Sequence, residues 1–195
     1  MDSQIQLVTE RLQVRQIQMT DAETIFKYRR DPLVNQYQGW IPETINDVHE
    51  FIARKVSDEI NVPGTWFQLV VIKKDENKLI GDVGVHFLAD EPFQIEIGCT
   101  LNSQFQGQGF ATEALKKIID YLFNVLIKRR ITAFIDPRNL SSIQLFERLG
   151  FRKEAHFKES LFLHGEWVDD LMYAIVKKEW QRAVSSLDRD RVDGN

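Results

Sequence analysis

The run Gln106-Gly107-Gln108-Gly109-Phe110-Ala111-Thr112 follows an alternating, strand-like stretch from Phe93 to Leu101. It precedes a helix-period run with Leu115, Ile118, Ile119, Leu122, Phe123 and Leu126 on one stripe. A glycine loop that opens a helix directly after a strand leaves backbone N–H groups unpaired at the positive end of the helix dipole. Such a place suits a phosphate or pyrophosphate, and the glycines let its oxygens approach the backbone. Three phosphate-binding patterns compete. A P-loop needs Gly-Lys followed by Ser or Thr, and no Lys follows Gly109. A dinucleotide fingerprint needs a third Gly where Thr112 stands, and the sequence around Asp136 does not supply its ribose-binding context. The pattern Arg/Gln-x-x-Gly-x-Gly/Ala fits as Gln106-x-x-Gly109-x-Ala111. It also fits two residues earlier, from Gln104, but the helical continuation Ala111 to Leu115 favours the first register. Alone, such a run is also what a glycine turn capping a helix looks like.

A second motif lies downstream: Asp136-Pro137-Arg138-Asn139-Leu140-Ser141-Ser142, then Phe146-Glu147-Arg148-Leu149-Gly150-Phe151. It resembles the Asn-x-x-Ala/Ser, short-helix, Leu-Gly-Phe signature of the Gcn5-related N-acetyltransferase (GNAT) superfamily. Thr9-Glu10-Arg11-Leu12, Tyr28-Arg29-Arg30-Asp31-Pro32, Ile80-Gly81-Asp82-Val83-Gly84 and Glu96-Ile97-Gly98 extend the likeness. These resemble the RimJ/RimL-like branch, named for ribosomal-protein N-terminal acetyltransferases. The resemblance covers residues 7–178.

It implies an acetyl-CoA donor and a primary amine acceptor joined by direct transfer in a ternary complex. The pyrophosphate would lie over Gln106, Gly107, Gln108, Gly109, Phe110 and Ala111, with the Thr112 hydroxyl close by. Pantetheine would run beside Cys99, Thr100 and Leu101, between strands that splay apart, and the N–H near Leu101 would polarise the thioester carbonyl. Asn139 and Ser142 match the family's side-chain contacts from the second signature. Glu96 occupies the family position of a general base, and the alternative is a structural ion pair or a solvated strand residue. It shares a strand face with Gly98 and Thr100, and a hairpin would bring His86 beside it. The Tyr that many members offer to the departing thiolate is Phe146 here, which has no proton to give. Ser142, one helical turn earlier, is the substitute, or a simple first-turn residue. That vacancy motivates an alternative from another class: a non-catalytic acyl-CoA sensor. Cys99 reads as core rather than as an acyl carrier.

Composition narrows the partners. With 43% hydrophobic and 28% charged residues the chain is ordinary for a globular protein, and at net charge −4 a nucleic-acid partner is not expected. Lys128-Arg129-Arg130 reads as cations at a helix C-terminus. One Cys and four scattered His give no metal-ligand spacing, so no metal is expected. No leader is visible and no apolar run approaches the roughly 20 residues of a membrane span, so a cytoplasmic location is expected. The acceptor, a small molecule or a peptide such as a ribosomal-protein N-terminus, would meet Tyr37, Gln38, Gly39 and Trp40 and the segment Leu163 to Trp167. The same aromatics would equally serve as core or homodimer contacts.

The elements that must position these residues follow from periodicity and turn residues. Strands are expected at Leu7–Ile17, Trp66–Lys73, Leu79–Leu88, Phe93–Leu101, Ile131–Ile135, Lys153–Leu163 and Trp167–Val176. Helices are expected from Thr20 to about Arg30, Ile45 to Glu59, after Gly109, over Ser141–Leu149 and from Lys177 to Val184. With the resemblance, this is an α/β (α+β) GNAT fold: a mixed, mostly antiparallel sheet of about seven strands flanked by helices. Residues 1–184 would form one domain and residues 185–195 a polar, disordered tail.

Overall fold

The computed structural model describes residues 5–182. One sheet of eight strands runs through it in the order β1-β2-β3-β4-β5-β6-β8-β7. The strands are β1 (Gln6–Val8), β2 (Leu12–Gln16), β3 (Thr65–Lys73), β4 (Lys78–Phe87), β5 (Gln94–Leu101), β6 (Arg130–Ile135), β7 (Arg152–Leu163) and β8 (Glu166–Val176). Helices α1 (Ala22–Arg29), α2 (Pro32–Asn35) and α3 (Ile45–Glu50) precede β3, α4 (Phe110–Asn124) joins β5 to β6, and α5 (Leu140–Arg148) joins β6 to β7. Neighbouring strands are antiparallel except β5 and β6.

Eight strands replace the expected seven because the first one folds back on itself. Leu12 donates its N–H to Thr9 Oγ1 at 2.9 Å, and the Thr9 N–H returns to the Leu12 carbonyl. Leu7 then pairs with Val14 across a hairpin. The expected helix from Ile45 to Glu59 stops early for a comparable reason. A wide turn over 51–55 follows α3, and Val56 then leaves helical geometry to bridge Trp66. A helical segment closes the described chain at 177–182; the expected tail and the end of that helix lie outside the described residues.

Both faces of the sheet carry apolar layers, but unequally. The α4 stripe Ala114, Leu115, Ile118, Ile119, Leu122 and Phe123 is fully buried against Ile95, Ile97, Ile131 and Ala133. Each such Leu, Ile or Phe contributes about 1.5–3 kcal/mol on burial. On the other face, α1 to α3 and the turn after them cover only β3 and β4, packing Ile25, Val48 and Ile52 over Val70, Ile72 and Leu79. No residue of β5 to β8 joins that second cluster, so half of this face is left without a helical cover.

The supposed basic cluster is taken apart by the fold. Helix α4 ends at Asn124, short of it. Lys128 is buried, donating to the Pro92 carbonyl beneath the Phe87 ring, while Arg130 pairs with Glu154. Chain reversal after Ile127 therefore uses these cations singly, as neither a helix C-cap nor a basic patch.

Candidate active site

The glycine loop stands open in the way its sequence suggests. Gly107 and Gly109 adopt φ +74° and +81°, which L side chains rarely adopt, and Gly109 caps α4 without a side-chain hydrogen bond. From Gly107 to Thr112 no backbone N–H has a partner among the described residues. The first bond belongs to the Glu113 N–H, which donates to the Gly109 carbonyl at 3.0 Å. The residues that hold the loop open come from the far end of the chain. Arg11 Nε donates to Glu113 Oε2 at 2.6 Å, Thr9 Oγ1 donates to Glu113 Oε1 at 2.6 Å, and Arg11 also reaches the Gln108 carbonyl at 3.1 Å. Although its partial burial works the other way, Glu113 is held below the usual carboxylate range by Thr9 and Arg11.

Not every loop residue faces outward. Gln106 Nε2 donates to the Leu101 carbonyl at 2.9 Å and braces the end of β5, and Gln108 Nε2 donates to the Gln104 carbonyl. Phe110 is buried against Phe105, so only its backbone is available to a ligand.

Next to the loop the sheet forks. Parallel pairing between β5 and β6 covers only Gln94 to Glu96 opposite Arg130 to Thr132. Beyond that point β5 continues with β4 and β6 with β8. Because Asn102 donates to the Ile80 carbonyl, the alternation of the antiparallel ladder turns the N–H groups of Cys99 and Leu101 away from β4, towards the fork. Gly81 makes that ladder possible: a Cβ there would lie 2.4 Å from the Thr100 carbonyl oxygen.

A cavity of about 850 Å³ opens at the fork, lined among others by Glu96, Cys99, Thr100, Asn139, Ser142 and Phe146. Leu101 and the glycine loop lie outside it. Glu96 stands at its edge, half-buried, with its carboxylate 3.8 Å from His86 Nδ1 across the β4–β5 pair. His86 in turn stacks on Trp66 with 4.7 Å between ring centroids. Burial pushes the Glu96 carboxyl above its ordinary value, and His86 partly opposes the shift. Asn139 accepts the Ser142 N–H at 3.1 Å, capping α5. The Ser142 hydroxyl has no partner among the described residues. Phe146 is buried edge-on to Phe151 at 5.0 Å. Cys99 packs against the core, and burial, with Asp82 nearby, pushes its thiol up to about 12. A thiol so placed stays protonated at neutral pH and is a poor nucleophile.

The opposite wall is a buried polar network that the sequence did not announce. Asp82 accepts from Tyr28, from Arg29 at 2.5 Å and from Gln68 at 2.5 Å. Arg29 also lies over the Trp40 ring, and Trp40 stacks on Phe51 at 4.4 Å. Tyr37, Gln38, Gly39 and Trp40 line the cavity, with Gln38 held by the Thr100 hydroxyl at 3.2 Å. The turn at Leu163 to Trp167 does not line it. It is tethered at its edge, where Arg138 bridges Asp136 and Glu166 and its carbonyl accepts from Tyr37.

Sequence reasoning missed two further contributors. Arg11 and Glu113 pair across the whole domain, a contact with no local signature. Asp170 on β8 is half-buried beside the fork; burial, with Glu96 and Asp136 nearby, pushes its carboxyl up to about 6. Among the described residues no group of three or more His, Cys, Asp or Glu is gathered as a metal ion would require, and no helix is long and apolar enough to cross a membrane.

Comparison with known proteins matches this geometry. The acetyltransferase (GNAT) domain model fits residues 11–152. An uncharacterized N-acetyltransferase, p20, of Bacillus licheniformis is 32% identical over 175 residues, covering 89% of this chain and 97% of that protein. The [ribosomal protein uS5]-alanine N-acetyltransferase of Escherichia coli is 28% identical, covering 90% and 93%. A GNAT-family acetyltransferase crystal structure from Bacillus anthracis superposes with a TM-score of 0.79 at 28% identity, covering 90% of this chain and 100% of that one. The glycine loop, the forked strands and these matches agree: the chain belongs to the GNAT family of acetyltransferases.

Proposed function

We propose that this acetyltransferase passes the acetyl group of acetyl-CoA directly to a primary amine, with Glu96 as the base. The observation that carries the reading is the half-buried Glu96 carboxylate at the vertex where β5 and β6 part, with the open glycine loop following the far end of β5. The N–H groups of Gly107 to Thr112 would hold the pyrophosphate, and those of Cys99 and Leu101 the pantetheine and the thioester oxygen. An amine is protonated at neutral pH and must lose a proton before it attacks. A carboxylate raised by burial is the better base for that step, because its pKa lies closer to the working pH. The amine nitrogen then bonds to the carbonyl carbon, the C–S bond breaks, and the second proton that the nitrogen must shed goes to the departing thiolate, giving the amide and free CoA thiol. Ser142, whose hydroxyl has no partner among the described residues, is the candidate to relay that proton, since Phe146 is a core residue here. The thiol of Cys99 argues against an acetyl-enzyme route.

The cavity wall carries the carboxylates of Asp47, Glu50, Asp82, Glu96 and Asp136 against the cations of Arg29 and Lys55, an excess that suits a cationic amine. The uS5-alanine enzyme makes a peptide N-terminus one reasonable acceptor class. Acetyl-CoA-dependent thiol release, run with and without amines, tests the reading. Release only with an amine supports it. Tight CoA binding with no release for N-terminal peptides, polyamines or simple alkylamines would favour a sensor instead.

A further inference from the structure

The uncovered half of the sheet face continues straight out of the cavity. Strand register places Glu96 and Thr132 side by side, then Phe134 opposite Met172, and Phe157 opposite Asp170, all on the face away from α4. Phe134 lines the cavity, remains 43% exposed and lies 6.4 Å from the Phe157 ring, itself 41% exposed. None of these residues joins the apolar cluster under helices α1 to α3, and although Thr132 is buried, both rings stay partly exposed.

Asp170 sits in the middle of the strip, and it differs from its acidic neighbours. Asp136 is paired with Arg138, Asp169 with Lys158 and His156, Glu166 with Arg138, and Glu154 with Arg130 and Arg152. Asp170 has no cationic partner among the described residues, although it is half-buried. Only the backbone N–H groups of Leu171 and Ile135 offset its desolvation. Placing a carboxylate in a partly apolar surface without a counter-charge costs free energy. A cation brought by the substrate would remove that cost, and the adjoining rings offer apolar surface and a cation-attracting face.

We propose that Asp170, Phe134 and Phe157 form the acceptor subsite, which selects a primary amine carried on an apolar, preferably aromatic, body. Asp170 receives the ammonium group, the two rings take the body of the molecule, and the nitrogen then passes to Glu96 for deprotonation. The proposal rests on the direct-transfer reading, but it makes a separate claim about which amines bind and through which residues.

The test uses the full chain with 2-phenylethylamine, ethanolamine and spermidine as acceptors. Acceptor affinity for the CoA-bound protein is measured by calorimetry, alongside steady-state thiol release. The expected KM for 2-phenylethylamine lies about tenfold below that for ethanolamine. Asp170→Asn and Phe134→Ala each raise that KM by about tenfold. They change kcat by less than about twofold and leave the KM for acetyl-CoA unaltered, a split that general damage to the fold would not produce. Calorimetric affinity falls in parallel.

Turnover with no dependence on Asp170 or Phe134, or an equal or greater preference for ethanolamine or spermidine, overturns the subsite and leaves direct transfer standing. Asp170-dependent binding without turnover overturns direct transfer and keeps the subsite. Neither binding nor turnover overturns both. If Phe157→Lys disperses a dimer while KM is unmoved, the strip belongs to a second copy of the chain and the proposal fails.

Discussion

Three residues with chemistry of their own behave differently because their surroundings differ. Glu96 is pushed up by burial, so kcat at saturating acceptor should rise through a group titrating above 4.5. In Glu96→Gln that limb should vanish and kcat fall by about 10²–10⁴-fold, with CoA affinity unchanged. A pH–rate series on both proteins checks this. Cys99 carries a thiol near 12, so Cys99→Ala should keep activity within about twofold and no acetyl-enzyme should be seen by intact-mass measurement. Asp170 affects stability as well. Its carboxyl titrates at about 6 in the folded protein, against about 3.9 in an unfolded chain. The stability it contributes is complete below pH ~4 and is lost as pH rises to about 6. Asp170→Asn should therefore be more stable than the parent at pH 8 by on the order of 1 kcal/mol, allowing for solvent screening. The expected rise in Tm is roughly 2–4 °C, shrinking towards zero at pH 4, and thermal melts at the two pH values measure it.

At the scale of elements, the cofactor loop depends on a contact that no local pattern encodes. Glycines at positive φ and a bare helix start can be read from Gly107, Gly109 and the stripe that follows. The clamp of Thr9 and Arg11 on Glu113 cannot, because its partners are more than a hundred residues apart in sequence. Arg11→Ala should therefore weaken acetyl-CoA binding by about tenfold through loss of an ordered loop. The acceptor KM should not move, and titration of CoA into both proteins checks the first half. The split of Leu7–Ile17 has the same origin: Thr9 and Arg11 leave the strand to reach α4. Periodicity and the bounding turn residues placed β3 to β8 and α4 to within a residue or two, although only some of them bury one regular face: β3 and β4 are buried on both and β7 is exposed along nearly all its length. Periodicity overran at Glu59, where Val56 obeys a bridge to Trp66 instead of helical spacing.

At the scale of the whole molecule, the sheet is asymmetric. One face is sealed by α4 and α5; the other is half covered by α1 to α3 and half open. The seam between the covered and open halves holds the cavity, and the Asp82 network with Tyr28, Arg29 and Gln68 fixes that seam. Asp82→Ala would leave the Arg29 charge buried and unpaired, so a loss of about 3–5 kcal/mol is expected in urea unfolding. The sequence disclosed the donor side of the site because glycines and an Asn-capped helix leave local signatures. The acceptor side is assembled from β6, β7 and β8, and which strand lies beside which is not written in any one segment.

Thiol release from acetyl-CoA, measured with and without a saturating primary amine in the parent and in Glu96→Gln, tests the central claim most directly. Direct transfer predicts amine-dependent release in the parent, one N-acetylated amine for each thiol, and a collapse of both in the variant with CoA binding intact. Amine-independent release, or equal turnover in the two proteins, would contradict the account.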